Sequence, residues 1–290
     1  MNRVYPLRFA IYYTRQGWPL LFKSCLLPLI QQLETAAVCN TYALYFSEEQ
    51  GEHIRLELHL HPTASHKIPI YQSIIETFLA AHPTQRADKP LPLIDSFFLD
   101  LPNNSVYISS FKPHLSHTAQ LPPQQGVLIR KEISALMLNT FAETTVNQNS
   151  LFNFYLCLEI IALSVFNDLQ EAVNLLQTDC KKLAGHLPPT EVNRLKDEAS
   201  KLIKNNHDDL DQMVILMQYD SSSADTQWLD GWRKTCREVA KTLEPLSLFR
   251  EISMLICQQI NFHHTKWSLL SLMTINNLLT NQNRSIHCTT

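Results

Sequence analysis

The chain has 290 residues, 45% hydrophobic and 18% charged, with a formal net charge of −3. This composition excludes a disordered chain and is long enough for a large domain with a sizeable core; with no basic excess, nothing argues for a nucleic-acid surface. The glycines Gly17, Gly51, Gly126, Gly185 and Gly231 are scattered, so a dinucleotide-binding fingerprint and a P-loop are both excluded, since each needs several glycines within a few residues.

In chain order, "LRFAIYYT" (7–14) is rich in aromatic and β-branched residues and predicts a strand. "WPLLFKSCLLPLIQQLE" (18–34) has helical spacing, and Pro28 inside it predicts a kink or a restart. "VCNTYALYF" (38–46) reads as a second strand, "SEEQGE" as a turn, and "GEHIRLELHLH" (51–61) as a third strand. In that third strand His53, Arg55, Glu57, His59 and His61 alternate with Ile54, Leu56, Leu58 and Leu60, which predicts one apolar face and one wet, ionisable face. Residues 42–46 and 53–60 are expected to pair as an antiparallel hairpin.

"PIYQSIIETFLAAH" (69–82) reads as an amphipathic helix with Ile70, Ile74 and Phe78 on one side. Strands are expected at 92–101 and 104–111, and a polar loop at 113–126. From about residue 129 every segment follows a helical period, broken at "LPPT" (187–190), "SSSADT" (221–226) and Pro245. The fold class is therefore α+β: a small antiparallel sheet flanked by helices in the first half, and a mostly helical second half.

No apolar run reaches the roughly 18 residues of a membrane span. The amino-terminal segment lacks a signal-peptide pattern, and seven cysteines without a CxxC suit a reducing compartment; the expected location is cytoplasmic. His59 and His61 with Glu57 could begin a zinc site, but no third ligand is evident, so a solvated strand face without metal is expected. Cys157 reads as a buried inert thiol. Trp228 and Trp232, with Cys236 and Val239, read as a core or groove stripe, with core the favoured meaning. No G-x-S-x-G marks a nucleophile elbow.

Three segments in order carry a resemblance. "YALYFSEEQGEHIRLEL" (42–58) resembles a hairpin of the form F-F-I-R-Y-x-D-P-x-x-H-L-R-L-R-F in the C-terminal domain of class I lanthipeptide dehydratases, a family that includes stand-alone thiopeptide-type bacteriocin biosynthesis proteins. His53 and Arg55 fall on its H-L-R. Upstream, "LRFAIYYT" and "LLPLIQQL" (26–33) are similar to the family's opening strand and helix. Downstream, "SLLSLMTINNLLTNQNR" (268–284) follows its last helix.

The resemblance implies a single elimination-like domain over 1–290, strand-rich over residues 1–128 and helical over residues 129–290. It implies a role in ribosomal peptide maturation, where the family removes glutamate from glutamylated Ser or Thr of a precursor peptide, or builds a pyridine ring from two dehydrated residues. Such β-elimination needs a base at the α-carbon and cations around the leaving carboxylate.

The chain departs from the family at most of the positions that would supply these groups. The family's first hairpin arginine falls near Tyr45 or Phe46, the second on Glu57, the last-helix histidine on Ser271 and an arginine on Asn277, while Asn276 is retained. Glu57 is expected to make the strand face repel an anionic leaving group. "DSFFLDLPNNS" (95–105) and "LNTFAETT" (138–145) only shadow two further motifs.

The implied substrate-binding candidates are Arg55, His53, His59 and Asn276, with no catalytic residue assigned and neither metal nor cofactor expected. The implied partners are a precursor peptide and, in an alternative non-catalytic reading, the glutamylation subunit of a split dehydratase. The first reading is thus a lyase-like protein acting on a modified peptide, with Arg55 binding a carboxylate; the second is a non-catalytic partner that holds a precursor peptide or completes a split dehydratase; a third is an unrelated α+β binding protein.

Overall fold

A computed structural model describes residues 5–86, 100–109, 121–218 and 227–287. Most of the strand expected at 92–101, most of the loop at 113–126 and the break at 221–226 lie outside these residues.

Strands β1 (Tyr5–Tyr12), β2 (Cys39–Ser47), β3 (His53–Leu60) and β4 (Ser105–Ile108) form an antiparallel sheet of order β2-β3-β1-β4. The expected hairpin is present, with Tyr42 opposite Leu58, Leu44 opposite Leu56 and Phe46 opposite Ile54. Its turn depends on Gly51, whose φ of +105° is closed to ordinary side chains. A Cβ there would also come within 2.7 Å of the Arg86 guanidinium.

One face of the sheet is apolar, as the alternation predicts. Ile54, Leu56, Leu58 and Leu60 are completely buried, and Phe46 meets Trp18 at 4.6 Å and Phe141 at 5.8 Å between ring centroids. Phe141 lies on α4 (Pro123–Glu143), and Trp18 opens α1 (Trp18–Leu21). Between α1 and α2 (Leu27–Thr35) the backbone makes a π turn over Phe22–Leu26, with the Leu27 N–H bonded to the Phe22 carbonyl. Pro28 has no N–H to continue the i→i−4 ladder, so the break expected from it appears as a one-residue slip just before the proline.

The outer edge of β2 is capped by side chains. Ser134 Oγ accepts the Leu44 N–H at 2.8 Å, and Gln259 Nε2 donates to the Leu44 carbonyl at 3.0 Å and to Ser134 Oγ at 2.8 Å. Both side chains are fully buried. Polar atoms that would otherwise template further pairing are consumed.

Helix α3 (Ile68–Ala81) corrects the expected burial. It buries Tyr71, Ile75, Phe78 and Leu79, while Ile70 is 56% and Ile74 36% exposed. The apolar positions 70 and 74 fit the helical period, but the tertiary partner selects the face about one residue on.

The chain divides into two compact units, one of Met1–His117, Pro123–Leu151 and Gln258–Asn261, the other of Thr118–Pro122, Phe152–Cys257 and Phe262–Thr290. The first holds the sheet. The second is helical, built from α5 (Gln148–Ala162, from Phe152 on), α6 (Leu169–Ala184), α7 (Pro189–Asn205), α8 (His207–Gln218), α9 (Gln227–Ala240), α10 (Pro245–Ile260, up to Cys257) and α11 (His264–His287). On α9 the expected stripe is only partly realised. Trp232, Cys236 and Val239 are buried and Trp232 Nε1 donates to the Leu158 carbonyl at 3.0 Å, but Trp228 is 43% exposed. Among the described residues no helix is long and apolar enough to cross a membrane.

Candidate functional site

The second face of the sheet carries the ionisable residues. It is not the wet face that alternation suggests: His53 is 1% and Glu57 6% exposed, and Ala10, Ala43 and Tyr45 beside them are also buried. The reason is topological. β3 lies between β2 and β1, so its side chains are flanked on both sides rather than standing at a sheet edge.

A buried carboxylate must find partners. Glu57 faces Arg8 across the β1–β3 pair, and Arg8 Nε donates to Glu57 Oε2 at 2.6 Å. His59 Nε2 meets Glu57 Oε1 at 2.5 Å. Burial pushes the Glu57 carboxyl up, but the hydrogen bonds and charges of His59 and Arg8 outweigh it and hold the group below the usual carboxylate range. Glu57 is therefore an anion whose charge is answered locally. The expectation that it makes this face repel an anion treated it as unpaired.

His53 is held equally firmly. Its ring stacks on Tyr12 with centroids 4.5 Å apart, its Nδ1 lies 2.9 Å from the Gly51 carbonyl, and its Nε2 receives Arg55 Nε at 3.0 Å. The carbonyl fixes the proton on Nδ1, which leaves the Nε2 lone pair to Arg55. Burial also lowers the ring's affinity for a second proton, and the Arg55 charge adds to this. A neutral imidazole whose lone pair is occupied is a positioning group for Arg55, not an available base. Arg55 additionally reaches Glu49 through Nη2.

Arg8 and Arg130 were not identified from the sequence. Arg130 is on α4 and its Nη1 is buried without a hydrogen-bond partner among the described residues. It acts electrostatically on Tyr45, together with Glu57 and Arg8, and burial is the main cause that raises the Tyr45 phenol. Tyr45 stands opposite Arg55. Tyr45 thus stands opposite one guanidinium on β3 and feels the charges of two more, from β1 and α4. The alternation of Arg8 on β1 was the available signal for one of them; nothing in the sequence around Arg130 marked it.

Asn276 belongs to the helical unit. It is 8% exposed on α11, and its Oδ1 lacks a partner among the described residues. Earlier on the same helix Ser271 donates to the carboxyl of Glu159. Glu159 is 1% exposed; burial pushes it up to about 7, against the opposing effect of hydroxyl hydrogen bonds. Cys157 is buried and its thiol is pushed up to about 12 by the same desolvation, as expected of an inert thiol. Among the described residues no three His, Cys, Asp or Glu side chains are grouped to hold a metal ion.

No protein-family model and no curated protein matches this sequence. Solved structures do. The pyridine synthase TbtD from thiomuracin biosynthesis superposes with a TM-score of 0.67 at 12% identity, over 93% of this chain and 97% of that one. The chain shares the fold of TbtD. TsrL matches with a TM-score of 0.53 at 11% identity over 95% of both chains. The tRNA-dependent lantibiotic dehydratase MibB from Microbispora sp. 107891 matches with a TM-score of 0.53 at 12% identity, over 97% of this chain but only 28% of MibB. At these identities the likeness is one of fold, and it agrees with the resemblance drawn from the three sequence segments.

Proposed function

We propose that this protein acts in the maturation of ribosomally made peptides and binds an acidic or glutamylated precursor peptide on the charged sheet face, without eliminating glutamate. The observation that carries the reading is the buried Nη1 of Arg130, unpartnered among the described residues, whose charge acts on Tyr45 together with that of Arg8. A buried guanidinium nitrogen that lacks an acceptor is costly, and a carboxylate brought by a ligand would supply one. Of the residues named from sequence, Arg55 would contact the peptide, His53 would orient Arg55, and His59 would hold Glu57. Asn276, in the helical unit, would offer its own unpartnered amide oxygen to a ligand there.

The match over nearly the whole length of TbtD supports treating the chain as one functional domain. Its correspondence to 28% of MibB supports a partnership with a separate glutamylation subunit. A cytoplasmic setting fits the free cysteines, Cys25 and Cys157 among them.

Absence of elimination follows from what the candidate residues can do. His53 has no free lone pair, and Ser271 replaces the histidine expected on the last helix. Losing a general base costs about 10²–10⁴-fold, which would bring the rate of elimination toward background.

One observation favours a second, lyase reading: Glu159, with its carboxyl near pKa 7, is suited to proton transfer at neutral pH. Mass spectrometry of a glutamylated peptide incubated with the pure protein separates the two. The first reading expects an intact ester and binding that weakens about tenfold or more in Arg130→Gln. Rapid dehydroalanine formation abolished by Glu159→Gln would establish the second.

A further inference from the structure

A cavity of about 410 Å³ opens in the helical unit, between α6, α10 and α11. Phe249, Met254 and Leu272 give it an apolar wall. Its polar lining divides into committed and uncommitted groups. Asp179 is bound by Arg250, with Arg250 Nε donating to Asp179 Oδ2 at 2.6 Å and Nη2 to Oδ1. Lys182 is exposed at the rim, and burial together with the neighbouring His263 keeps His264 from taking a second proton easily. Among the described residues no cation is therefore held ready inside for an anionic ligand.

The acceptors differ. Glu251 is 7% exposed, and its Oε2 is buried with no hydrogen-bond partner among the described residues. Ser253 and Ser268 are 4% and 3% exposed and line the same cavity. Their hydroxyls lie 3.2 Å apart, and the Tyr155 hydroxyl is 2.7 Å from one and 3.0 Å from the other. A buried carboxyl without a cation is a standing cost unless something supplies one, and two hydroxyls in contact with each other and with a tyrosine hydroxyl are fixed in place, each keeping lone-pair capacity to accept a further hydrogen bond. Desolvation pushes the Glu251 carboxyl up, the direction expected of an acid that awaits a counter-charge.

We propose that this cavity binds an organic ammonium group carried on a small apolar body, with Glu251 and the two serine hydroxyls receiving the charged end and the Phe249–Met254–Leu272 wall the apolar end. The volume suits a ligand of small-molecule size or a single apolar residue bearing a free α-amine. The site is independent of the sheet face, and its failure would leave the proposed function untouched.

The test is calorimetric titration of the full chain with 2-phenylethylammonium chloride, with 2-phenylethanol as the uncharged control. The ammonium is expected to bind with a Kd of about 1 mM or below, and the alcohol at least about tenfold more weakly. Glu251→Gln is expected to weaken the ammonium about thirtyfold or more, and should not lower the melting temperature, because it removes an unpaired buried acid. Met254→Trp, which fills the apolar end and leaves the carboxyl in place, should abolish binding.

Leucyl-leucinamide and its N-acetylated form distinguish the source. Binding of the dipeptide that acetylation abolishes assigns a peptide amino terminus, and binding of the free amine alone assigns a small molecule. No ammonium binding, equal binding of the alcohol, or ammonium binding unchanged in both variants would overturn the proposal.

Discussion

Glu57 in the sheet unit and Glu159 in the helical unit are both almost fully buried, at 6% and 1% exposed, yet their acidities move in opposite directions. Desolvation pushes each carboxyl up. Glu57 is met by Arg8 and His59, and Glu159 by hydroxyls such as that of Ser271. Burial sets the penalty, and the neighbours decide whether it is overcome. The sheet face keeps charge inside the protein, while the helical unit keeps a proton there.

The largest expected effect comes from breaking the sheet-face side of this contrast. Arg8→Ala leaves Glu57 buried with only His59, and should cost about 3–5 kcal/mol in urea unfolding at pH 7. A loss below about 1 kcal/mol would mean that Glu57 reaches water.

The second prediction tests the sign of the difference. Glu159 has a folded pKa near 7 against 4.5 for the free side chain, so the folded state holds the proton more tightly. Its contribution is fully present below the unfolded pKa and lost as pH rises through the folded one, amounting to roughly 3 kcal/mol between those limits. Glu57 has its folded pKa depressed, so its contribution is present above the unfolded value and lost as pH falls. Unfolding free energies of Glu159→Gln measured from pH 4.5 to 7.5 should therefore decline less with pH than those of the wild type. Parallel curves would remove Glu159 from the account.

Two smaller effects sharpen the picture of the sheet. Ser134→Ala deprives the buried Leu44 N–H of its acceptor and should cost about 2 kcal/mol, read by denaturant unfolding. Gly51→Ala forces a Cβ into a φ of +105° against Arg86 and should lower stability by about 1 kcal/mol or somewhat more, most simply seen as a lower melting temperature.

The strands of the hairpin were legible because a two-residue period survives in any context: residues 53–60 alternate without interruption, and the hairpin register follows. The proline break at 28 was legible for a similarly local reason. What escaped depends on neighbours distant in sequence. Glu57 looked like an isolated negative charge because its partner Arg8 lies 49 residues away on a strand whose place beside β3 alternation cannot reveal. Arg130 comes from a helix with no marking motif. Ile70 and Ile74 were assigned to the buried side of α3, and Trp228 to the core stripe of α9, because period identifies a stripe but not which edge of it meets the core.

The capped edge of β2 bears on how a peptide can be read. With the N–H and C=O of Leu44 taken by Ser134 and Gln259, an added strand would find no main-chain partners at that residue. Under the proposed function, a peptide on this sheet would be recognised across the face, through the spacing of its acidic side chains, rather than by a main-chain ladder passing Leu44. Such recognition tolerates almost any residue between the acids. Under the proposed function, that tolerance would suit a protein that meets one peptide in several successive states of modification.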